Sequence, residues 1–131
     1  MVIQVLLDTN FLIYCTENKI DYVEEIDRIL KQGNELLVLD QVINELKDIS
    51  NRKQDSFKNR QKAELSLKIL EANKIKIIPS KANNADDSIV YFSKKNPNNI
   101  VATLDKNLKK RINKEKTRFI VLNGKKSLSL Q

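Results

Sequence analysis

Residues 2–14, VIQVLLDTNFLIY, carry the clearest structural signal in the chain. The first six residues are a near-continuous apolar run, which is typical of a strand buried on both faces of a parallel sheet. Asp8 ends the run, and Thr9 and Asn10 suit the N-cap of a following helix. A buried strand that passes directly into a helix is the unit from which parallel α/β sheets are built.

The same pattern recurs along the chain. Four further apolar runs lie at residues 36–39, 75–78, 100–103 and 119–122, with helical patterns between them. Gly33 is expected to end the helix that begins near Tyr22, and a longer helix is expected over residues 56–73. The alternation predicts a single domain over residues 1–131, with an α/β fold: a three-layer α/β/α sandwich around a central parallel sheet of four to five strands.

The composition excludes several classes of site. The sequence contains no histidine, and Cys15 is its only cysteine, so a histidine base, a zinc centre and a disulfide framework are ruled out. With only two glycines, it also lacks a glycine-rich phosphate loop. The apolar N-terminus has no basic leader and is too short to span a bilayer. We therefore expect a cytoplasmic protein without a membrane partner.

The positive charge is concentrated in one segment. The net charge is +7, and residues 106–126 contain nine basic residues against one acid, Glu115. A basic segment beside an acidic cleft suits a polyanion held by its phosphates. A solvated lysine-rich surface is the alternative explanation, and the sequence leaves both open.

Acidic residues recur where the predicted strands end. They are Asp8, Glu45, the pair Asp86 and Asp87, and Asp105. In a doubly wound sheet the ends of the first, second and fourth strands meet at one edge, where such sheets bind ligands. Carboxylates that converge there would repel one another, and hard cations such as Mg²⁺ or Mn²⁺ take oxygen ligands. The pattern predicts a metal-dependent site that cleaves phosphodiester bonds.

Each acid also has an ordinary structural explanation. Asp8 and Asp105 could simply cap helices, Glu45 could be a surface residue, and a helix dipole stabilises acids in a first turn. Helical spacing from the apolar residues of ADDSIVYFS favours Asp86 over Asp87 as the residue that faces the cleft. Thr103, two residues before Asp105, could orient a water or a phosphate oxygen.

Together these motifs resemble the PIN-domain nuclease family. The family pattern is a D-T-N first strand, a glutamate in the second helix, an aspartate that opens a later helix and an aspartate after the fourth strand. The resemblance runs from about Val2 to Leu122. It implies metal ligands at Asp8, Glu45, Asp86 and Asp105, with Asp87 as second choice and with Asn10 and Thr103 in support. One or two Mg²⁺ or Mn²⁺ ions are implied as cofactors.

Within this family, ADDSIV followed by IVATLDKNLKKRI looks most like the branch that processes ribosomal RNA. VapC toxins are similar, but more often carry an acidic-aromatic dipeptide where this chain has Lys106 and Asn107. The resemblance implies an endoribonuclease that hydrolyses RNA with water activated by the ion. The residues expected to grip RNA phosphates are Lys106, Lys109, Lys110, Arg111 and Lys114.

The resemblance implies RNA as a partner, together with ribosome-assembly proteins or an antitoxin. It leaves open whether the protein forms a homodimer. A catalytically silent RNA-binding scaffold is the alternative from another functional class, although the presence of all four acids argues against it.

Overall fold

The computed structural model describes residues 2–112 and 117–131 of the chain. One or two helices lie between successive strands from the first to the fifth, in keeping with the βα units that the apolar runs predict. The strands are β1 (Ile3–Leu7), β2 (Asn34–Leu39), β3 (Lys76–Ile78), β4 (Ile100–Ala102), β5 (Arg118–Leu122) and β6 (Leu128–Leu130). The helices are α1 (Thr9–Glu17), α2 (Tyr22–Leu30), α3 (Asp40–Asn51), α4 (Phe57–Ala72), α5 (Ala85–Lys95) and α6 (Lys106–Arg111).

The strands form one mixed sheet in the order β3-β2-β1-β4-β5-β6, flanked by helices. The pairs from β3 to β5 are parallel, and β6 is antiparallel to β5. The α/β sandwich prediction is confirmed, but the sheet is larger than the four to five parallel strands expected. The sequence did not indicate β6 because its segment, SLSLQ, holds only two apolar residues, whereas the runs that located the equally short β3 and β4 hold three each. Gly124, at a φ of 82°, lies in the turn that returns the chain from β5.

The middle of the sheet forms the core. Residues Val5, Leu6 and Leu7 of β1 and all of β4 are buried, as expected for strands covered on both faces. On one side of the molecule α1, α3 and α4 pack together, while α5 packs against α6 and β4. No helix in the described ranges has both the length and the apolar character needed to cross a membrane.

Side-chain caps fix where most of the helices begin. Asp8, Asp21, Ser56, Asn84 and Asp105 each accept a hydrogen bond from a backbone N–H in the first turn of the helix that follows.

One predicted helix end was wrong. The helix that begins at Tyr22 ends with Lys31 in the left-handed conformation, at a φ of 54°, and not at Gly33. The turn needs a positive φ two residues earlier than the glycine, and the lysine adopts it at a conformational cost.

Candidate metal and RNA site

The sheet order brings the predicted acids to one edge. β1 lies between β2 and β4, so residues that follow these three strands are neighbours at the carboxyl end of the sheet. Asp8 follows β1 directly, and Asp105 comes shortly after β4. Glu45 lies in the helix after β2, and Asp86 lies in the first turn of α5. This is the edge at which open α/β sheets bind ligands.

Asp8 is the buried member of the group, with only 4% of its surface exposed. One carboxylate oxygen accepts the N–H of Thr9 at 2.8 Å, and the other accepts the hydroxyl of Thr103 at 2.7 Å. Burial raises the pKa of Asp8 to about 6; the two hydrogen bonds oppose this rise, and the charges of Asp86 and Glu45 add to it. The ionised form of Asp8 is therefore less stable in the folded chain than it would be in water.

Glu45 lies on α3, near enough to Asp8 for its charge to raise the pKa of Asp8. The residue is exposed overall, yet partial burial of its carboxyl group raises its pKa, and the charges of Asp86 and Asp48 raise it further. The hydroxyl of Thr9 lies close enough to favour the charged form of Glu45. The geometry falls short of a full hydrogen bond, so this buried hydroxyl has no partner.

The two neighbouring aspartates of α5 point in different directions. The charge of Asp86 raises the pKa of both Asp8 and Glu45, so Asp86 lies near these two acids. Asp87 instead forms an ion pair with Arg111 and accepts a hydrogen bond from Asn84. Both contacts lower the pKa of Asp87, and the contact with Arg111 has the larger effect. Successive helical residues are about 100° apart, so only one of the pair can face the cleft. Asp87 does not join the group, contrary to its placement among the expected ligands.

Asp105 and Thr103 connect the end of β4 to Asp8. One oxygen of Asp105 accepts the N–H groups of Asn107 and Leu108 at 2.9 and 3.1 Å, which caps α6. The N–H of Asp105 donates to the Thr103 hydroxyl at 3.1 Å, and this hydroxyl in turn donates to Asp8. Asn10 accepts the N–H of Leu104 at 3.3 Å. Asn10 and Thr103 thus tie the two strand ends together.

The basic side chains of α6 point in two different directions. Lys106, Lys109 and Lys110 line a groove of about 420 Å³ between α6 and the end of the sheet formed by β5 and β6. Lys109 donates to the side chain of Gln131 at 3.3 Å within this groove. Arg111 points the other way, to Asp87. Lys114, also expected to grip RNA, lies outside the described residues.

A second polar cluster, which no sequence pattern indicated, joins α3 to the segment before α5. Ser88 donates to the side-chain oxygen of Gln41 at 2.6 Å, and Gln41 donates to the carbonyl of Ala82 at 2.8 Å. Asp40 accepts from both the N–H and the hydroxyl of Ser80. Gln41 stands one turn before Glu45, and Ser88 two residues after Asp86, so this cluster fixes the two acids relative to each other.

The donor set fits a hard divalent cation. The acidic edge offers carboxylate and hydroxyl oxygens, including the partnerless hydroxyl of Thr9, and no sulfur or imidazole ligand. Within residues 2–112 and 117–131, no three acidic side chains already stand in an arrangement that would hold one ion. Side-chain rotation of the exposed acids, Glu45 and Asp86, would be needed to close such a site around Asp8.

Comparison with known proteins identifies the family. The model of the PIN like domain matches residues 5–125. The chain belongs to the PIN-like domain family. Its residues are 34% identical over 119 positions to Ribonuclease VapC4 of Methanocaldococcus jannaschii, covering 91% of this chain and 89% of that protein. They are 32% identical over 112 positions to the rRNA-processing protein fcf1 of Schizosaccharomyces pombe, covering 84% of this chain and 53% of that protein.

Two solved structures share the fold of this PIN-like chain. The PIN domain endonuclease Utp24 superposes with a TM-score of 0.77 at 27% identity, over 98% of this chain and 90% of that one. VapBC2 from Rickettsia felis, solved with a DNA fragment of its promoter, superposes with a TM-score of 0.60 at 17% identity, over 89% of this chain and 98% of that one. The predicted resemblance to both the rRNA-processing and the VapC branches is confirmed.

Proposed function

We propose that this PIN-like protein is a divalent-metal-dependent endoribonuclease. The observation that carries the proposal is the Asp8 carboxylate, which is buried while two further acids lie close enough to oppose its ionisation. Such an arrangement destabilises the folded chain unless a cation offsets it, and perturbed acids in a cleft mark functional sites. The family membership and a ribonuclease relative support a nuclease as that function.

We assign different roles to the residues of the site according to their surroundings. Asp8 and Asp105 would hold the principal ion, and Glu45 and Asp86 would bind it through water or support a second ion. A divalent ion lowers the pKa of water and stabilises the leaving oxygen of a phosphodiester. Thr103 keeps the Asp8 carboxylate oriented, because its only hydroxyl hydrogen is directed to Asp8. Lys106, Lys109 and Lys110 would grip flanking phosphates without reading the sequence.

The substrate we favour is structured RNA, in the maturation of ribosomal RNA. Two observations support this role: the similarity to the rRNA-processing protein fcf1, and the cationic helix that begins directly at Asp105. A toxin ribonuclease with a small antitoxin as partner is the second candidate, favoured by the 34% identity to VapC4 over nearly its whole length. An RNA-binding protein without turnover is the third.

The first experiment measures cleavage of a ribosomal RNA fragment with Mg²⁺, with Mn²⁺ and with a chelator. Asp8→Asn and Glu45→Gln should abolish the metal-dependent cleavage. The control is Glu64→Gln, because Glu64 is an exposed helical acid paired with Lys68 in α4. Cleavage that persists in the chelator, or in Asp8→Asn at the wild-type rate, would disprove the proposal.

The second experiment separates the two roles. The processing role predicts tolerated expression and co-sedimentation with pre-ribosomal particles. Growth arrest by the wild type but not by Asp8→Asn, relieved by a co-expressed small protein, would favour the toxin.

A further inference from the structure

Arg111 is the one basic residue of α6 that forms an ion pair, and its partner, Asp87, is the chain neighbour of Asp86 of the acidic group. Its guanidinium pairs with Asp87, at a point where the side chains of Arg111 and Asp87 are 48% and 42% exposed. Exposed pairs of this kind contribute little to folding, because water screens them and two long side chains lose freedom. Stability therefore does not explain why this charge is held here.

The surroundings of Arg111 are acidic on more than one side. Asp86, whose charge raises the pKa of Asp8 and of Glu45, is the chain neighbour of Asp87. Asp105 caps the start of α6, the short helix that Arg111 ends, and side chains in a helix lean toward its N-terminus. The charges of Asp86 and Asp105 both act on Arg111, in addition to that of Asp87. The guanidinium thus lies at the border of the candidate metal site, whereas Lys106, Lys109 and Lys110 face the separate groove.

We propose that Arg111 binds the phosphate that undergoes cleavage, and that Asp87 holds it in position for this task. The proposal rests on the proposed nuclease function. A guanidinium is planar, stays charged at every working pH and can donate to two phosphate oxygens at once. A positive group fixed beside a transferring phosphoryl group stabilises the charge that develops in the transition state.

Arg111 should have opposite effects on the metal and on the reaction. As a cation next to the acidic edge it repels a divalent ion, so it weakens metal binding to the free protein. When RNA is bound, the same charge lies against the phosphate and accelerates cleavage. A residue with a merely structural role would change both quantities in the same direction, because loss of the local fold would weaken metal binding and slow cleavage together.

The test compares Arg111→Met with Arg28→Met. Arg28 also forms an exposed ion pair with a carboxylate, Glu25, but it does so on α2, away from the acidic edge. Both variants lose one arginine charge and one exposed pair, so they share any general electrostatic effect. For each protein we would measure the Mn²⁺ dissociation constant without RNA, the single-turnover cleavage rate at saturating RNA, and the thermal midpoint.

For Arg111→Met we expect Mn²⁺ to bind about threefold to tenfold more tightly and cleavage at saturating RNA to fall roughly a hundredfold. The thermal midpoint should stay within about two degrees of the wild type. Arg111→Lys should recover part of the rate, because it restores the charge without the two-pronged geometry. Asp87→Asn should slow cleavage less than Arg111→Met, because the guanidinium remains but is held less firmly.

Three results would overturn the proposal. In the first, Arg111→Met matches Arg28→Met in both Mn²⁺ affinity and cleavage rate. In the second, Mn²⁺ binding weakens and the thermal midpoint falls together, which would indicate a structural role. The third is a wild-type protein that does not cleave RNA, which would refute the nuclease function as well. Only this last result removes both proposals, so the two failures are distinguishable.

Discussion

Asp8 and Asp105 follow neighbouring parallel strands, but the fold surrounds the two carboxylates differently. Asp8 is buried, receives one backbone N–H and the Thr103 hydroxyl, and has other acids nearby. Asp105 is only partly buried and accepts two N–H groups at the start of α6. The first acid is held at a cost to the folded state, while the second stabilises a helix. Two acids that follow neighbouring strands can therefore have opposite effects on stability, even where one shared function is proposed for both.

The largest effect should be on catalysis, where the two residues should behave alike. Asp8→Asn and Asp105→Asn should each slow Mg²⁺-dependent RNA cleavage at least about 10³-fold, because each removes a ligand charge worth several kcal/mol in the transition state. Single-turnover rates at saturating RNA and Mg²⁺ would measure this loss. Near-normal cleavage by Asp105→Asn would reduce Asp105 to a helix cap and leave Asp8 as the only essential acid of the two.

The next effect is on stability, where the two residues should differ. The pKa of Asp8 is about 6 in the folded chain against an ordinary value of 3.8, so the folded state binds the extra proton between these values. Protonated Asp8 does not destabilise the fold, so the folded chain keeps its full stability below pH 4. As the pH rises through 6, Asp8 ionises in its buried site and the free energy of unfolding falls. Asp8→Asn avoids this loss and should be more stable than the wild type by roughly 3 kcal/mol at pH 7.5, but not at pH 3.5.

Urea unfolding of both proteins at several pH values, with no divalent metal present, would measure that difference. A gap that does not change with pH would mean that the ionisation of Asp8 is not the cause.

A smaller effect should follow from Thr103→Val, which removes the donor to Asp8 and the acceptor of the Asp105 N–H. We expect a loss of about 1.5 kcal/mol at pH 7.5, because a hydrogen bond to a charged group is lost. The hydrogen bond holds the pKa of Asp8 down, so this pKa should rise above 6 in the variant. A titration followed by carboxyl NMR would detect the shift, and an unchanged pKa would contradict the role assigned to the hydroxyl.

The smallest effect should be the loss of the α6 cap. Asp105→Ala should destabilise the chain by about 1 kcal/mol, whereas Asp105→Asn, which keeps an acceptor oxygen, should cost much less. Thermal unfolding without metal would separate the two variants. Equal stability of both would show that the two N–H contacts contribute nothing, and would weaken the contrast with Asp8.

The sequence predicted those features that depend on local patterns. Apolar runs located β1 to β5, and the rule that parallel strand ends share an edge indicated that Asp8 and Asp105 would follow adjacent strands. The 100° step of a helix was enough to favour Asp86 over Asp87. β6 was missed because its segment, SLSLQ, holds only two apolar residues. The helix end at Lys31 was missed because a lysine with positive φ leaves no compositional signal.

The side-chain partners could not be predicted either. The pairing of Arg111 with Asp87 depends on how α6 packs against α5, and the bond from Ser88 to Gln41 joins residues that are 47 positions apart. Helical and strand periods relate residues that are close in sequence, so they predict neither of these two contacts. Such contacts become visible only once the tertiary arrangement is known.

The Gln41–Ser88 bond has a consequence for the energetics of ligand binding. It joins the helix that carries Glu45 to the helix that carries Asp86 before any ligand arrives. Conformational entropy that would otherwise be lost on binding is then lost during folding instead. The two acids should approach a cation as one rigid unit, so only their side-chain rotations remain to be ordered.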